Sequence, residues 1–193
     1  MSNLLEESKR IKEQADKILK ESGILDILKD YGEVKIGGSY VLDVMLRPDL
    51  DLFVITQEHD WNKVLKISAD IMKSRYFREF DFVNWIDFGD KDIDAMKGYY
   101  FQPWVPIEGQ LWKMDLWLIT PDQYKGSELT DRFKSLLDKE TGVSKRLAIL
   151  EIKKAMRQGK KYVKGVDGRL IYQAVLEKEI TTVEDFKKFA GIV

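Results

Sequence analysis

Two closely spaced aspartates stand out among the residues of this chain that could do chemistry. Asp49 and Asp51 alternate with leucines at the start of the apolar run Leu50–Thr56. Residues two apart on a strand point to the same face, so the two carboxylates project together. Carboxylates this close repel each other, and a divalent cation between them relieves that repulsion. Hard oxygen ligands suit Mg²⁺, which takes phosphate oxygens as further ligands.

A glycine turn lies just upstream of the aspartates. Gly37 and Gly38 allow backbone to approach a ligand closely, and Ser39 adds a hydroxyl and can cap the short helix predicted to follow. The free N–H groups at the start of a helix favour an anion. The turn is therefore predicted to bind phosphate, while the aspartates hold the metal that phosphate needs.

A third carboxylate, Asp115, lies in the segment KMDLWLIT. In a strand, Asp115 would face away from Met114 and Leu116, which would pack in the core. If this strand neighbours the Leu50–Thr56 strand, Asp115 reaches the same metals. Three carboxylates are enough for a two-metal site with ions about 4 Å apart.

The glycine turn, the Asp-x-Asp strand start and the later lone aspartate together resemble the nucleotidyltransferase superfamily with the polymerase-beta-like fold, in particular its small antibiotic-modifying members. The resemblance covers roughly residues 30–120. It implies that Asp49 and Asp51 bind two Mg²⁺ ions, and that Asp115 shares one and helps activate an acceptor hydroxyl. It also implies that the turn binds the phosphates of a nucleoside triphosphate, with Gly38 and Ser39 on the β- and γ-phosphates.

The elements that must position these residues form an α+β pattern. Helical spacing predicts a helix over residues 3–21, and three short aromatic strands, predicted to be antiparallel, follow between residues 79 and 120. From residue 121 onward the apolar spacing is helical. We therefore predict a mixed or antiparallel sheet with flanking helices in a nucleotidyltransferase-like core of residues 1–120. A helical region of residues 121–193 is expected to pack on this core.

Composition excludes several classes of function. The 193 residues contain no cysteine and a single histidine, His59, which excludes thiolate chemistry and multi-histidine metal sites. Net charge is −1, so nucleic acid is not an expected partner. No run is long enough to span a membrane, and the N-terminal sequence lacks a signal-peptide core, so a cytoplasmic location is expected.

Other motifs support weaker interpretations. A second Asp-x-Asp, in KDIDA at 91–95, lacks the glycine turn and is interpreted as a surface loop; His59 is expected to be exposed or capping. The tryptophans are expected to build core or a hairpin face, although one of them could stack on a base or an acceptor. The segment 145–165 carries eight basic residues against one acidic residue. It is interpreted as a solvated helix face, with a phosphate-lining role as the alternative.

Three hypotheses for the function follow. The first is a Mg²⁺-dependent nucleotidyltransferase that transfers a nucleoside monophosphate to a hydroxyl of a small molecule, as in antibiotic modification. The second is a nucleotide-binding module without catalysis, which serves in regulation or as a partner subunit. The third, a phosphate-ester hydrolase using Asp-x-Asp, fits least well because the motif here opens a strand rather than a loop. The acceptor, the preferred base and the oligomeric state stay open.

Overall fold

The computed structural model describes residues 3–88, 96–124, 126–138, 141–159 and 161–192. The fold class is α+β, as predicted, with one five-stranded mixed sheet, flanking helices and helices toward the C-terminus. The residues group into two compact units. The sheet unit comprises Glu13–Gly37 and Pro48–Ser127, and the helical unit comprises Met1–Lys12, Gly38–Arg47 and Glu128–Val193. The domain boundary predicted at residue 120 stays a prediction.

The elements are numbered in chain order. Up to the third strand they are α1 Asn3–Glu21, α2 Ile24–Lys29, β1 Glu33–Gly37, α3 Gly38–Val41, β2 Asp49–Ile55, α4 Trp61–Lys73 and β3 Glu79–Asn84. They continue with β4 Tyr99–Ile107, β5 Gln110–Ile119, α5 Gly126–Leu137, α6 Gly142–Ala155, β6 Arg157–Gln158, β7 Lys161–Tyr162, α7 Gly168–Glu177 and α8 Val183–Phe189. Among the residues with described structure, no helix is both long and apolar enough to cross a membrane.

The large sheet has the strand order β1-β2-β5-β4-β3. Strands β3, β4 and β5 pair in antiparallel fashion, which confirms the prediction for the aromatic segments. The prediction did not specify that β5 would insert beside β2, where the two strands run parallel. This insertion brings the segment containing Asp115 next to the segment that contains Asp49 and Asp51.

Alternation along β2 and β5 gives the sheet an apolar face and a polar face. Leu50, Leu52 and Val54 are fully buried, and so are Met114 and Leu118 of β5. Leu116 is buried on the same face, whereas Asp51, Phe53, Asp115 and Trp117 on the other face are only partly buried. Burying several aliphatic side chains per strand stabilises the sheet by about 2 kcal/mol for each one. That burial also fixes the register, since a slip by one residue would turn the aspartates into the core.

The core of the helical unit is formed largely by α5, α6, α7 and α8. Its largest fully buried residue is Phe186, and Ile149, Ile152, Ile171 and Val175 are also fully buried. The prediction that the chain is helical from residue 121 to the end is wrong for Arg157–Gln158 and Lys161–Tyr162, where β6 and β7 form a two-stranded antiparallel ribbon. Gly159 directly follows β6 and adopts φ 63°, a left-handed conformation that favours glycine.

Candidate functional site

The polar face of the sheet unit brings together the three predicted carboxylates. In the parallel pair of β2 and β5, Asp51 lies directly opposite Asp115, and Asp49 lies opposite Lys113. Asp49 and Asp51 share one face of β2 because they are two residues apart. The strand adjacency on which Asp115 depended is therefore present. The catalytic and metal-binding roles of the three aspartates stay predictions.

Lys113 is the residue of this site that sequence reasoning missed. Its ammonium lies 2.6 Å from Oδ2 of Asp115 and 3.4 Å from Oδ1 of Asp49. Burial alone would lower the pKa of Lys113, but the negative charges of Asp49 and Asp115 raise it above its ordinary value. The signal was present in the sequence, because Lys113 precedes Asp115 by two residues and period-two alternation places both on one face.

Two further side chains of β4 orient the Asp115 carboxylate. The hydroxyl of Tyr100 donates a hydrogen bond to Oδ1 of Asp115, and Nε2 of Gln102 donates to the same oxygen at 3.0 Å. Burial, and then the bond to the Asp115 carboxylate, raise the pKa of the Tyr100 phenol, so it stays protonated and remains a donor. With Lys113 on the other oxygen, Asp115 is held by three donors from two strands.

The glycine turn begins at the last residue of β1. Gly37 ends β1 in the sheet unit and pairs with Asp51 across the antiparallel β1–β2 contact. A Cβ on Gly37 would lie 2.8 Å from a ring carbon of Phe53, so the strand packs closely at this position. Gly38 has φ 64°, a left-handed conformation that favours glycine, and with Ser39 it begins α3 in the helical unit. The phosphate-binding role of the turn stays a prediction.

The short helix after the turn is smaller than the sequence indicated. The apolar residues Val41, Leu42, Met45 and Leu46 predict a helix that continues to residue 46, but α3 ends at Val41. The following Asp43 has φ 58°, a backbone conformation incompatible with continuing the helix. Because a single helical turn aligns few peptide dipoles, the backbone N–H groups themselves would be the main attraction for an anion.

The donor chemistry of the polar face suits a hard divalent cation, but Lys113 contributes a competing charge. Asp49, Asp51 and Asp115 offer carboxylate oxygens of the kind that Mg²⁺ prefers. As the side chains are placed, no group of three His, Asp or Glu residues in the described parts of the chain could hold a metal ion. The Lys113 ammonium near both Asp49 and Asp115 shows that positive charge is favoured between these two carboxylates. A divalent ion would have to compete with Lys113 for them.

Aromatic side chains flank the carboxylates on the same sheet. Tyr100 packs against Trp117 with ring centroids 4.8 Å apart, and Phe53 packs against Tyr124 at 5.1 Å. All four rings are only partly buried. Trp112 is instead fully buried, as expected for a core tryptophan. Partly exposed rings next to polar groups offer flat surfaces on which a planar ligand could stack.

The basic segment 145–165 is not simply a solvated helix face. In the helical unit, the buried Lys153 donates a hydrogen bond to the carbonyl of Val44 at 2.7 Å. Arg146 donates to the carbonyls of Leu42 and Leu137 at 3.2 and 3.1 Å. For these two residues the prediction of a solvated face is wrong, because they bind backbone carbonyl groups. His59 is exposed, as predicted, and the motif at 91–95 lies outside the described residues.

Comparisons with known proteins found similar solved structures but no match in sequence. No protein-family model matches the chain, and the search of curated proteins found no match. One similar solved structure is that of a poly(A) polymerase complex, GLD-2 - GLD-3, with 13% sequence identity and a TM-score of 0.47. The match covers 91% of this chain and 58% of that chain, so this chain spans little more than half of its length. A similarity at this level leaves the activity to be argued from the residues of this chain.

Proposed function

We propose that this chain is a Mg²⁺-dependent nucleotidyltransferase that transfers a nucleoside monophosphate from a nucleoside triphosphate to a hydroxyl of a small molecule, with release of pyrophosphate. The observation that carries the proposal is the register of β2 and β5. It sets Asp51 opposite Asp115, with Asp49 on the same face and Gly37 paired with Asp51. The order of the motifs along the chain, a glycine turn, then Asp-x-Asp, then a lone aspartate, resembles that of the nucleotidyltransferase superfamily. This order is why we assign nucleotidyl transfer to the arrangement.

Each residue has a specific role in the proposal. Asp49 and Asp51 would hold two Mg²⁺ ions, with Asp115 sharing one, and Gly37, Gly38 and Ser39 would bind the phosphates. When bound, Mg²⁺ neutralises charge on the phosphate oxygens and lowers the pKa of a bound hydroxyl. The acceptor oxygen forms a bond to the α-phosphorus while the bond to the bridging oxygen of the β-phosphate breaks. The hydroxyl proton passes to the Asp115 carboxylate, and pyrophosphate carries away the electron pair of the broken bond.

The acceptor class follows from charge and from the aromatic surface. A chain of net charge −1 provides no general attraction for a polyanion such as RNA. The ring pairs Tyr100–Trp117 and Phe53–Tyr124 instead provide flat apolar surface on the sheet that carries the carboxylates. We therefore favour a small hydroxylated acceptor with an apolar or planar face, and the enzyme would work mainly by positioning it.

One observation favours a second candidate, a nucleotide-binding regulatory or partner protein without catalysis. Lys113 lies within ion-pair distance of Asp49 and Asp115, so two of the three carboxylates already have a cationic partner. Such an arrangement is stable without metal. In this alternative the polar face would bind nucleotide but would not catalyse transfer.

The test is a transfer assay with α-labelled nucleoside triphosphates, Mg²⁺ and a panel of small hydroxylated acceptors, which follows pyrophosphate release and the mass of the product. We expect labelled product from the wild type and a loss of at least about 100-fold in Asp51→Asn, since a bound metal supplies several kcal/mol of charge stabilisation. Asp26→Asn is the matched control, because Asp26 is an exposed aspartate of the same unit that pairs with Lys29 on α2. Nucleotide binding without transfer to any acceptor would support the regulatory alternative.

A further inference from the structure

We propose that Lys113 is an internal counter-ion of the carboxylate site, which a divalent cation displaces and which then binds the phosphates of the incoming nucleotide. This inference rests on the proposed function and deepens it. It assigns a role to a residue outside the motif, and it makes metal and nucleotide binding depend on each other.

The first step of the argument is the position of the ammonium. Lys113 Nζ lies 2.6 Å from Asp115 and 3.4 Å from Asp49, and these carboxylates come from neighbouring strands. The side chains of Lys113, Asp49 and Asp115 are only 20%, 24% and 19% exposed. Water therefore screens these charges less than it would at an open surface, and a positive charge between the two carboxylates is strongly favoured.

The second step is the balance of charge on the polar face. Asp49, Asp51, Asp115 and Lys113 taken by themselves sum to a charge of −2 on neighbouring positions of β2 and β5. A divalent cation compensates this charge better than an ammonium does, but it must first replace the ion pairs of Lys113. Lys113 is tethered beside the carboxylates, so it competes at a high effective concentration. The free protein is therefore expected to bind divalent cations weakly.

The third step concerns the displaced ammonium. A lysine carries its charge on a flexible four-carbon stem, so Lys113 can leave Asp49 and Asp115 without a change in the strand. A triphosphate brings several negative charges to the same face, and a free ammonium there has phosphate oxygens as its new partners. Metal and triphosphate together would stabilise the displaced position, while metal alone would not. Lys113 thus weakens the binding of the free metal ion and strengthens the binding of the triphosphate.

These opposite effects define the experiment. Binding of free Mn²⁺ is measured by calorimetry on the full chain, followed by binding of a non-hydrolysable nucleoside triphosphate analogue at saturating Mg²⁺. Lys113→Met keeps most of the stem and removes the charge. We expect it to bind free Mn²⁺ at least about tenfold more tightly than the wild type, a change of about 1.4 kcal/mol, and to bind the analogue more weakly. A purely structural role would weaken both.

Three further variants separate the explanations. Lys113→Arg keeps the positive charge and is expected to bind Mn²⁺ as the wild type does. Lys29→Met removes an exposed lysine that pairs with Asp26 on α2 of the same unit, so it reports the effect of a lost charge outside the site. Adding Asp49→Asn to Lys113→Met should abolish the gain in Mn²⁺ affinity, because the released carboxylate would no longer be available. Circular dichroism confirms that each variant is folded before binding is compared.

Two results would overturn the inference, and they can be told apart. If folded Lys113→Met binds Mn²⁺ no more tightly than wild type, Lys113 does not compete with the metal, although the metal site itself would stand. If neither protein binds Mn²⁺ at millimolar concentration, with or without the nucleotide analogue, the proposed metal-dependent function fails together with the inference.

Discussion

Two lysines with little exposure, one in each unit of the chain, show how the partners of a residue decide its role. Lys113 in the sheet unit lies between the carboxylates of Asp49 and Asp115. Lys153 in the helical unit is 6% exposed and donates to the carbonyl of Val44 at 2.7 Å and the hydroxyl of Tyr172 at 3.4 Å. The named partners of Lys113 carry charge, and those of Lys153 are neutral oxygens.

This difference separates a lysine that ligands can displace from one that the fold requires. Another cation could replace Lys113 as the partner of the Asp49 and Asp115 carboxylates. Val44, by contrast, would be left with a carbonyl that lacks this donor. The cost of an unsatisfied buried polar group makes such a contact hard to replace. The following predictions test the comparison in order of decreasing expected effect.

The largest effect is expected for Lys153→Ala. Loss of the bond to the Val44 carbonyl and of the buried stem should lower the free energy of unfolding by about 3 kcal/mol. Lys153→Met keeps the stem and should lose about 1–2 kcal/mol, the cost of the carbonyl alone. Urea denaturation gives both values. Equal stability of wild type and Lys153→Ala would show that the contact is not structural.

A smaller effect on stability is expected for Lys113→Met without metal. Removing the ammonium exposes Asp49 and Asp115 to mutual repulsion, which should lower the free energy of unfolding by about 1 kcal/mol. Salt screens this repulsion, so the loss should shrink between low and high ionic strength. The loss in Lys153→Met should not depend on salt in this way. The same salt dependence for both variants would break the comparison.

The hydrogen bond from Tyr100 to Asp115 should contribute less again. Tyr100→Phe keeps the ring beside Trp117 and removes only the hydroxyl, so we expect a loss of about 0.5–1 kcal/mol in the free energy of unfolding. A double-mutant cycle with Asp115→Asn isolates the interaction between the two side chains. A coupling energy near zero would show that Tyr100 does not position the carboxylate.

At neutral pH the smallest effect is expected at a partly buried pair of the sheet unit, Tyr31 and Asp70. Burial and the bond to Asp70 raise the pKa of Tyr31 to about 12. The unfolded chain releases this proton near pH 10, so the stabilisation is present below that pH and is lost as pH rises toward 12. Tyr31→Phe should flatten the pH dependence of unfolding between about pH 10 and 12. An unchanged slope would contradict the assignment.

Asp70, the carboxylate of this pair, contributes a pH dependence of stability opposite in direction to that of Tyr31. The bond from Tyr31 and then that from Lys73 lower the pKa of Asp70. The resulting stabilisation is present above the pKa of the unfolded chain, about 3.9, and disappears as pH falls through the lower folded value. Asp70→Asn should therefore lower the free energy of unfolding slightly at neutral pH, and its difference from wild type should disappear in acid. Urea denaturation from acid to neutral pH measures this, and a difference that persists in acid would contradict the assignment.

Local patterns in the sequence were sufficient to predict the strand that carries Asp49 and Asp51. Alternation with leucines predicted both the strand and the common face of the aspartates, because period two is a local property of the backbone. The same rule would have identified Lys113 as a neighbour of Asp115.

Other features depend on contacts between distant segments, which a single sequence does not reveal. The parallel pairing of β2 with β5 joins segments more than 60 residues apart along the chain. The partner of Lys153 is 109 residues away, so this lysine looked like part of a solvated helix face. The strands β6 and β7 are not evident from the sequence, because two residues each are too few to show a period of their own.

The most direct test of the account is a calorimetric titration of non-hydrolysable ATP and GTP analogues, with and without Mg²⁺, into wild type and Asp49→Asn/Asp51→Asn. We predict that wild type binds a nucleotide analogue only with Mg²⁺ and that the double variant, folded by circular dichroism, has lost this binding. Nucleotide binding that persists in the double variant without metal would contradict the central claim that these carboxylates form a metal-dependent nucleotide site.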